Sequence, residues 1–350
     1  MAYSTITKPS LHFNTKLYAG SNSTQAVTGV WFQPDWVWIK NRSSTPDHKL
    51  HDVVRGSNKN LTSNSNAAEQ TYTYFNSFDS DGFTLDGNGS DYNQNGSNFV
   101  SWNWKAGGTG SANSNGTISS TVSVNTTAGF SIVAYTGNGT GNSTIGHGLG
   151  DTPDFIIVKR RDSTGNWGTL NPFFTTASDC NILYLDTTNA VADYTNVFGT
   201  SAAFNNNTFT VGDWNGSNVN YGNYIAYCFA YKRGFSKGGK FTANNSSDGP
   251  FVYTGFKPGW VLIKSSLSGA GWVIVDSTRD PENSADKILY PSATNDEASG
   301  ARYIDLNSNG FKLRNSYGDM NGGTAQYMYM AFAEEPLVAN VGASIPATAR

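Results

Sequence analysis

The chain alternates short apolar runs with polar, glycine-rich stretches. Nowhere does it sustain the i, i+3, i+4, i+7 spacing that gives a helix its apolar stripe, so little helix is expected. The runs have strand length. Pro34 to Lys40 reads proline, any residue, aromatic, two apolar positions, a β-branched residue and lysine. Proline opens the run, where a missing ladder donor does least harm. The near-continuous apolar segment behind it suits a strand covered on both faces. The same pattern returns at Pro153 to Lys159 and at Pro258 to Lys264.

Two further landmarks follow each copy in the same order. Asp81-Gly82-Phe83, Asn207-Thr208-Phe209 and Asn309-Gly310-Phe311 signal a hairpin, with Asp-Gly and Asn-Gly favouring its tight turn. An aromatic strand then closes each copy, at Phe99 to Trp104, Tyr224 to Phe229 and Tyr327 to Phe332. Between landmarks a middle strand is expected at His51 to Val54, Ile182 to Leu185 and Ile288 to Tyr290. An opening strand is expected at Leu11 to Tyr18, Phe130 to Tyr135 and Phe251 to Tyr253. Many short strands with turns between them predict an all-β fold of three tandem antiparallel β-sandwich modules, jelly-roll or lectin-like. The boundaries fall at 1–106, 107–237 and 238–336, with a C-terminal arm over 337–350. Gly107 to Gly116 and Gly234 to Gly249 read as short Gly/Ser/Asn linkers acting as modest hinges.

Composition narrows the function. Only 14% of residues are charged and the net charge is −3, with no basic stripe of the kind a phosphate backbone requires, so nucleic acid is not an expected partner. No apolar run approaches a membrane span and no secretory signal opens the chain; a soluble protein without membrane insertion is expected. Cys180 and Cys228 are too few and too far apart for a disulfide framework or a zinc site, and Cys228 reads as a buried free thiol.

Candidate chemistry is sparse. Asp79 and Asp81, and then Asp305, Asn307 and Asn309, resemble the start of a calcium loop. The acid expected to close each loop falls on Ser90 or Ser316, so a polar turn comes first and a surface calcium ion second. No other cofactor is expected. His12, His48, His51 and His147 fit no triad or zinc spacing, and Gly146 to Gly150 precedes a strand rather than a phosphate-cradling helix. The acid after the landmark proline is Asp35, then Asp154, then Gly259, so no shared catalytic position emerges. Trp36, Trp38, Trp102, Trp104, Trp260 and Tyr329 alternate within strands and are assigned to the core. Tyr92, Trp167, Trp214, Tyr221, Trp272 and Tyr317 lie among Gly, Asn and Asp. Rings beside amides are what a sugar-binding face needs, and as a cluster these six are the expected carbohydrate contacts.

Several stretches resemble a repeated module of structural proteins of marine bacteriophages. They include Ile6 to Tyr18, Gln33 to Arg42, Ser80 to Phe83, Val100 to Lys105, Ala128 to Gly139, Gly146 to Gly150 and Ala331 to Glu334. The third copy departs from the pattern by lacking the Gly-His-Gly-Leu-Gly turn. The resemblance implies a virion component assembled in the bacterial cytoplasm, where thiols stay reduced, and it brings no catalytic residues. A tail-fibre or receptor-binding protein contacting host surface polysaccharide is the first expectation. A capsid decoration protein is the second, and a polysaccharide depolymerase the third; the chain reads as a non-enzyme. Other virion proteins are the expected partners, with a homotrimer the expected oligomer.

Overall fold

A computed structural model describes residues 4–170, 173–174, 181–199 and 204–336. Cys180 and the arm expected over 337–350 lie outside the described residues. Strand makes up 43% of the protein and helix 2%, so the all-β expectation holds. Every strand pair within the sheets is antiparallel.

The three landmark runs sit in the middle of three larger sheets. In the first copy the order is Phe13–Ala19, Asn98–Trp104, Trp36–Asn41, Lys49–Asp52. In the third it is Ser236–Thr242, Gln326–Pro336, Phe256–Ser265, Trp272–Asp276. The second repeats this order with Phe130–Thr136, Asn223–Phe229, Phe155–Arg160 and Gly168–Leu170, then adds strands at both edges. Each copy also has a smaller sheet built on its hairpin strand: Gly82–Leu85, Thr208–Val211 or Gly310–Leu313.

Pleating sends alternate side chains to opposite faces, and the two faces of the larger sheets meet different cores. Val37, Ile39 and Phe99 pack with Phe83 and Leu85 of the first copy's smaller sheet. Ile156, Val158, Tyr224 and Cys228 pack with Phe209 and Val211, and Val261, Ile263 and Tyr329 with Phe311 and Leu313. The other face is shared. Trp36, Trp38, Trp102 and Trp104 join Phe155, Ile157, Tyr227 and Phe229 and also Trp260, Leu262, Met330 and Phe332 in one central core. Trp36 stacks on Tyr227 at 4.3 Å and Phe13 on Phe332 at 4.8 Å, so side chains of different copies are direct neighbours. Truncating one such indole costs about 3–5 kcal/mol. Tyr329, grouped in the sequence with the tryptophans, faces the third copy's own core instead.

Four sequence expectations are corrected. The hinge at Gly234 to Gly249 is largely a strand: Ser236–Thr242 pairs with the closing strand and crosses the expected 237/238 boundary. Its glycines are demanded by packing, since a Cβ on Gly238 would lie 2.2 Å from the Tyr231 hydroxyl oxygen and one on Gly239 2.8 Å from the Tyr329 ring. This strand, not Phe251–Tyr253, is the third copy's opening strand; Phe251–Tyr253 pairs with the hairpin strand Gly310–Leu313. The stretch Gly107 to Gly116 contains the strand Ser111–Asn113, paired with Ser120–Asn125. Finally, the strands matching Lys49–Asp52 are Gly168–Leu170 and Trp272–Asp276, each beside its Pro-led strand. Ile182 and Ile288 lie one step further out, where Leu289 bridges to Ile274.

The acids after the landmark prolines are structural. Asp35 accepts the amides of Ala106 (2.7 Å) and Gly108 (3.3 Å), and Asp154 accepts that of Tyr231 (2.7 Å), fixing the chain as it leaves the closing strand. Gly259 packs closely on Glu334 instead, where an added Cβ would lie 3.0 Å from the Glu334 Cβ. The Cys228 thiol is free and fully buried, and burial pushes its pKa up. No helix among the described residues is long and apolar enough to cross a membrane.

Candidate functional site: the seams between copies

The three copies meet along three seams, and each seam uses the same positions. The Glu69 amide donates to the Arg161 carbonyl (2.7 Å), that of Val191 to Ser266 (2.9 Å) and that of Glu297 to Arg42 (3.1 Å). These bonds link first copy to second, second to third, and third back to first. The landmark lysines repeat the ring, with Lys159 Nζ reaching the Asn66 carbonyl (3.3 Å), Lys264 that of Asn189 (3.1 Å) and Lys40 that of Thr294 (2.9 Å). Burial lowers the pKa of all three to about 8. Trp167 Nε1 donates to the Thr62 carbonyl (2.9 Å) and Trp272 Nε1 to that of Tyr184 (2.8 Å).

Two seams carry a buried ionic network. At the first–second seam Arg55 Nε holds Asp52 at 2.5 Å while Tyr227 donates its hydroxyl to the same carboxylate (2.8 Å). Glu69 then bridges Arg55 (3.2 Å) and Arg161 (2.9 Å). At the third–first seam Arg279 Nε holds Asp276 at 2.5 Å, Trp102 Nε1 donates to Asp276 (3.0 Å), and Glu297 bridges Arg279 (3.0 Å) and Arg42 (2.7 Å). Burial alone would raise the pKa of Glu69 and Glu297, but hydrogen bonds and charge from the arginines outweigh it and hold both below the ordinary value. The second–third seam has Val191 and Ser266 where the others have acid and base, and Met330 where the others have Trp102 or Tyr227.

A cleft of about 890 Å³ opens at this seam, lined by Thr188 of the second copy and otherwise by the third. Its floor is organised by the turn that precedes the closing strand. In each copy the first turn residue accepts amides from three and four residues on: Gly89 from Tyr92 and Asn93, Trp214 from Ser217 and Asn218, Tyr317 from Met320 and Asn321. The last residue is a fully buried asparagine. Asn321 Nδ2 donates to Ser246 and Asn315 carbonyls (2.9 and 2.7 Å), while its Oδ1 accepts the Asn244 amide (3.1 Å). Asn93 and Asn218 make corresponding bonds. Sequence reasoning missed these residues, although each stands six positions before Phe99, Tyr224 or Tyr327.

The third copy's turn presents Tyr317 (45% exposed) and Asp319. The Arg302 guanidinium lies over the rings of Tyr317 (4.6 Å) and Tyr290 (5.7 Å), and Arg302 Nε donates to Asp319 Oδ2 at 2.6 Å. Tyr290 donates its hydroxyl to the same oxygen (3.2 Å), while Asp319 Oδ1 is buried without a hydrogen-bond partner. Such an orphan acceptor costs about 1–3 kcal/mol. In the second copy the equivalent turn presents Trp214 against Tyr184 (5.7 Å), which also meets Tyr194 (5.5 Å). Aromatic faces beside hydroxyls, amides and a charge-balanced Arg–Asp pair suit a polyhydroxylated ligand. Among the described residues, Asp319 is the one carboxylate lining the cleft.

The six aromatics expected at a sugar site therefore separate. Tyr92, Trp167 and Trp272 are buried: Tyr92 meets His51 Nε2 through its hydroxyl (3.0 Å), and the two tryptophans seal seams. Trp214 and Tyr317 occupy equivalent turns of different copies, and Tyr221 is 80% exposed on a turn of its own. The calcium reading loses its ligands to local bonds. Asp79 accepts Ser77 and Thr84 hydroxyls (2.7 and 2.6 Å), and Asp81 the amides of Gly29 and Trp31 (3.0 and 2.6 Å). Asp305 is held by Arg314 (2.6 Å) and the Ser284 hydroxyl, while Asn307 and Asn309 shape the hairpin backbone. Among the described residues no three His, Cys, Asp or Glu side chains come together to hold a metal. His147 bonds the Asn205 carbonyl and the Leu149 amide, so the Gly146 to Gly150 turn is held by its own histidine.

A family model matches residues 8–336, a span that takes in all three copies, and the chain belongs to that family, DUF7483, a domain of unknown function. No curated protein and no solved structure matches the chain.

Proposed function

We propose that this is a bacteriophage virion protein, without enzymatic activity, that contacts host surface polysaccharide as a tail-fibre or receptor-binding component. The observation that carries the reading is the seam cleft, where Tyr290 and Arg302 flank Asp319 among serine and asparagine side chains, with the Tyr317 ring beside Arg302. The phage setting rests on the resemblance of the repeated motifs. On this reading each copy is a β-sandwich of lectin-like character, and the three fuse into one body that docks on other virion proteins. Adsorption of purified protein to host cells tests it. Wild-type protein should bind and compete with infection, and Asp319→Asn should bind at least tenfold more weakly with an unchanged unfolding midpoint. Failure of the wild type to bind or compete sinks the receptor role. A capsid decoration role is the second reading, and immunogold label over the capsid would establish it.

A further inference from the structure

Two aromatic residues stand in the left-handed region of backbone space: Trp31 at φ 73° and Tyr221 at φ 63°. For a bulky L residue that conformation is strained, because Cβ crowds the following carbonyl. The repeat shows that the turns do not need it. Trp31 stands three residues before its landmark proline, and the same position of the second copy is Gly150, at φ 69° with open space around it. Tyr221 stands three residues after its buried asparagine, where the first copy has Gly96 at φ 78°. Both aromatics are also exposed, Trp31 by 55% and Tyr221 by 80%. An exposed ring held at an energetic cost where glycine serves a sister copy is not explained by folding, and strain of this kind gathers at functional sites.

Trp31 has a cleft beside it. About 250 Å³ opens at the third–first seam, lined by Trp31, Asn14 and Thr15 of the first copy and by Ser277, Thr278 and Glu334 of the third. The ring is held in place. Asp81 clamps the Trp31 amide at 2.6 Å, and Lys8 Nζ lies 4.7 Å from the ring centroid. Glu334 is paired with Lys257 at 3.3 Å. We infer that Trp31 and this cleft form a second carbohydrate subsite, taking one neutral pyranose unit stacked on the indole with its hydroxyls met by Thr15, Ser277 and Thr278. The ligand class rests on the polysaccharide reading above; the case for a site here rests on the strained backbone and the repeat.

The test uses intrinsic fluorescence, because seven of the nine tryptophans are fully buried and Trp31 is the most exposed. Neutral gluco-, galacto- and manno-oligosaccharides are titrated into the full chain. At least one should give a saturable change in emission and protect tryptophan from acrylamide. Trp31→Gly should abolish that response with no loss of unfolding midpoint, since glycine relieves the strain, and Trp31→Asn, also at home at positive φ, should do the same. Tyr221→Gly should leave it intact. If an oligosaccharide binds and both Trp31 variants bind it equally well, the subsite is wrong while the polysaccharide reading stands. If no oligosaccharide perturbs the wild type, the subsite is overturned whether or not the protein adsorbs to cells.

Discussion

Among the described residues, two of the three seams carry a buried carboxylate–arginine network and the third carries none. At the first–second and third–first seams an aspartate, two arginines and a glutamate form one network, with Tyr227 or Trp102 donating into it. At the second–third seam those roles pass to Val191, Ser266 and Met330, and the 890 Å³ cleft opens there. Yet the backbone bond, the lysine and the indole of Trp272 are retained. Closure of the ring therefore depends on the shared polar bonds and the central core. The ionic networks are additions that specify two contacts and leave the third surface open to other chemistry.

The largest effect should come from unpairing one network. Asp276→Ala leaves the buried Arg279 guanidinium with Glu297 but without its closest carboxylate and should cost about 3–5 kcal/mol in urea denaturation, whereas Asp276→Leu with Arg279→Met, which removes both charges, should cost clearly less. A loss below about 1 kcal/mol for the single variant would show that the charges do not hold the seam. Acid should separate the seams next. Glu69 and Glu297 have folded pKa values below their unfolded ones, so their contribution is complete above the unfolded value and disappears as pH falls through the folded value. Hydrogen exchange below about pH 4 should deprotect the Glu69 and Glu297 amides before that of Val191; equal loss at all three would erase the distinction.

Alkali should treat the seams alike. The three lysines have folded pKa values of about 8, below the unfolded value of about 10.4. Between these limits the unfolded chain binds more protons, so this contribution to stability rises with pH. Replacing any one of Lys40, Lys159 or Lys264 by methionine should flatten that rise by a similar amount. The smallest effect belongs to grafting charge onto the open seam. Val191→Glu with Ser266→Arg lacks the aspartate-held second arginine and should add no more than about 1 kcal/mol, measurable in a double-mutant cycle.

The repeat and its strands were legible because pleated, doubly covered strands leave near-continuous apolar runs. What escaped was whatever depends on a partner in another copy. The sequence places the first copy's middle strand at His51 to Val54, two residues past Lys49–Asp52, whose His51 and Asp52 are polar yet fully buried. Their burial is compensated by Tyr92 and by Arg55 and Tyr227, contacts that no local pattern encodes. Ser236–Thr242 looked like a linker because its glycines leave room for Tyr231 and Tyr329. Trp167 and Trp272 looked like loop platforms because the carbonyls they bond belong to neighbouring copies. Of the site, Tyr317 was visible by type, whereas Arg302, Asp319 and Trp31 were not. Trp31 did carry a signal, namely Gly150 at the matching place in the second copy.

The stacking of Phe13 on Phe332 sets an order on the molecule's birth. The first copy's opening strand leaves the ribosome more than 300 residues before its aromatic partner in the third copy. Until then Trp36, Trp38, Trp102 and Trp104 have only part of their cover, and a nascent first copy carries a sticky aromatic face. Contacts this distant in sequence make for slow closure. A chain cut at residue 106 or 237 should therefore aggregate rather than yield a free-standing unit, and synthesis, rather than later assembly, is when this ring is most exposed to error.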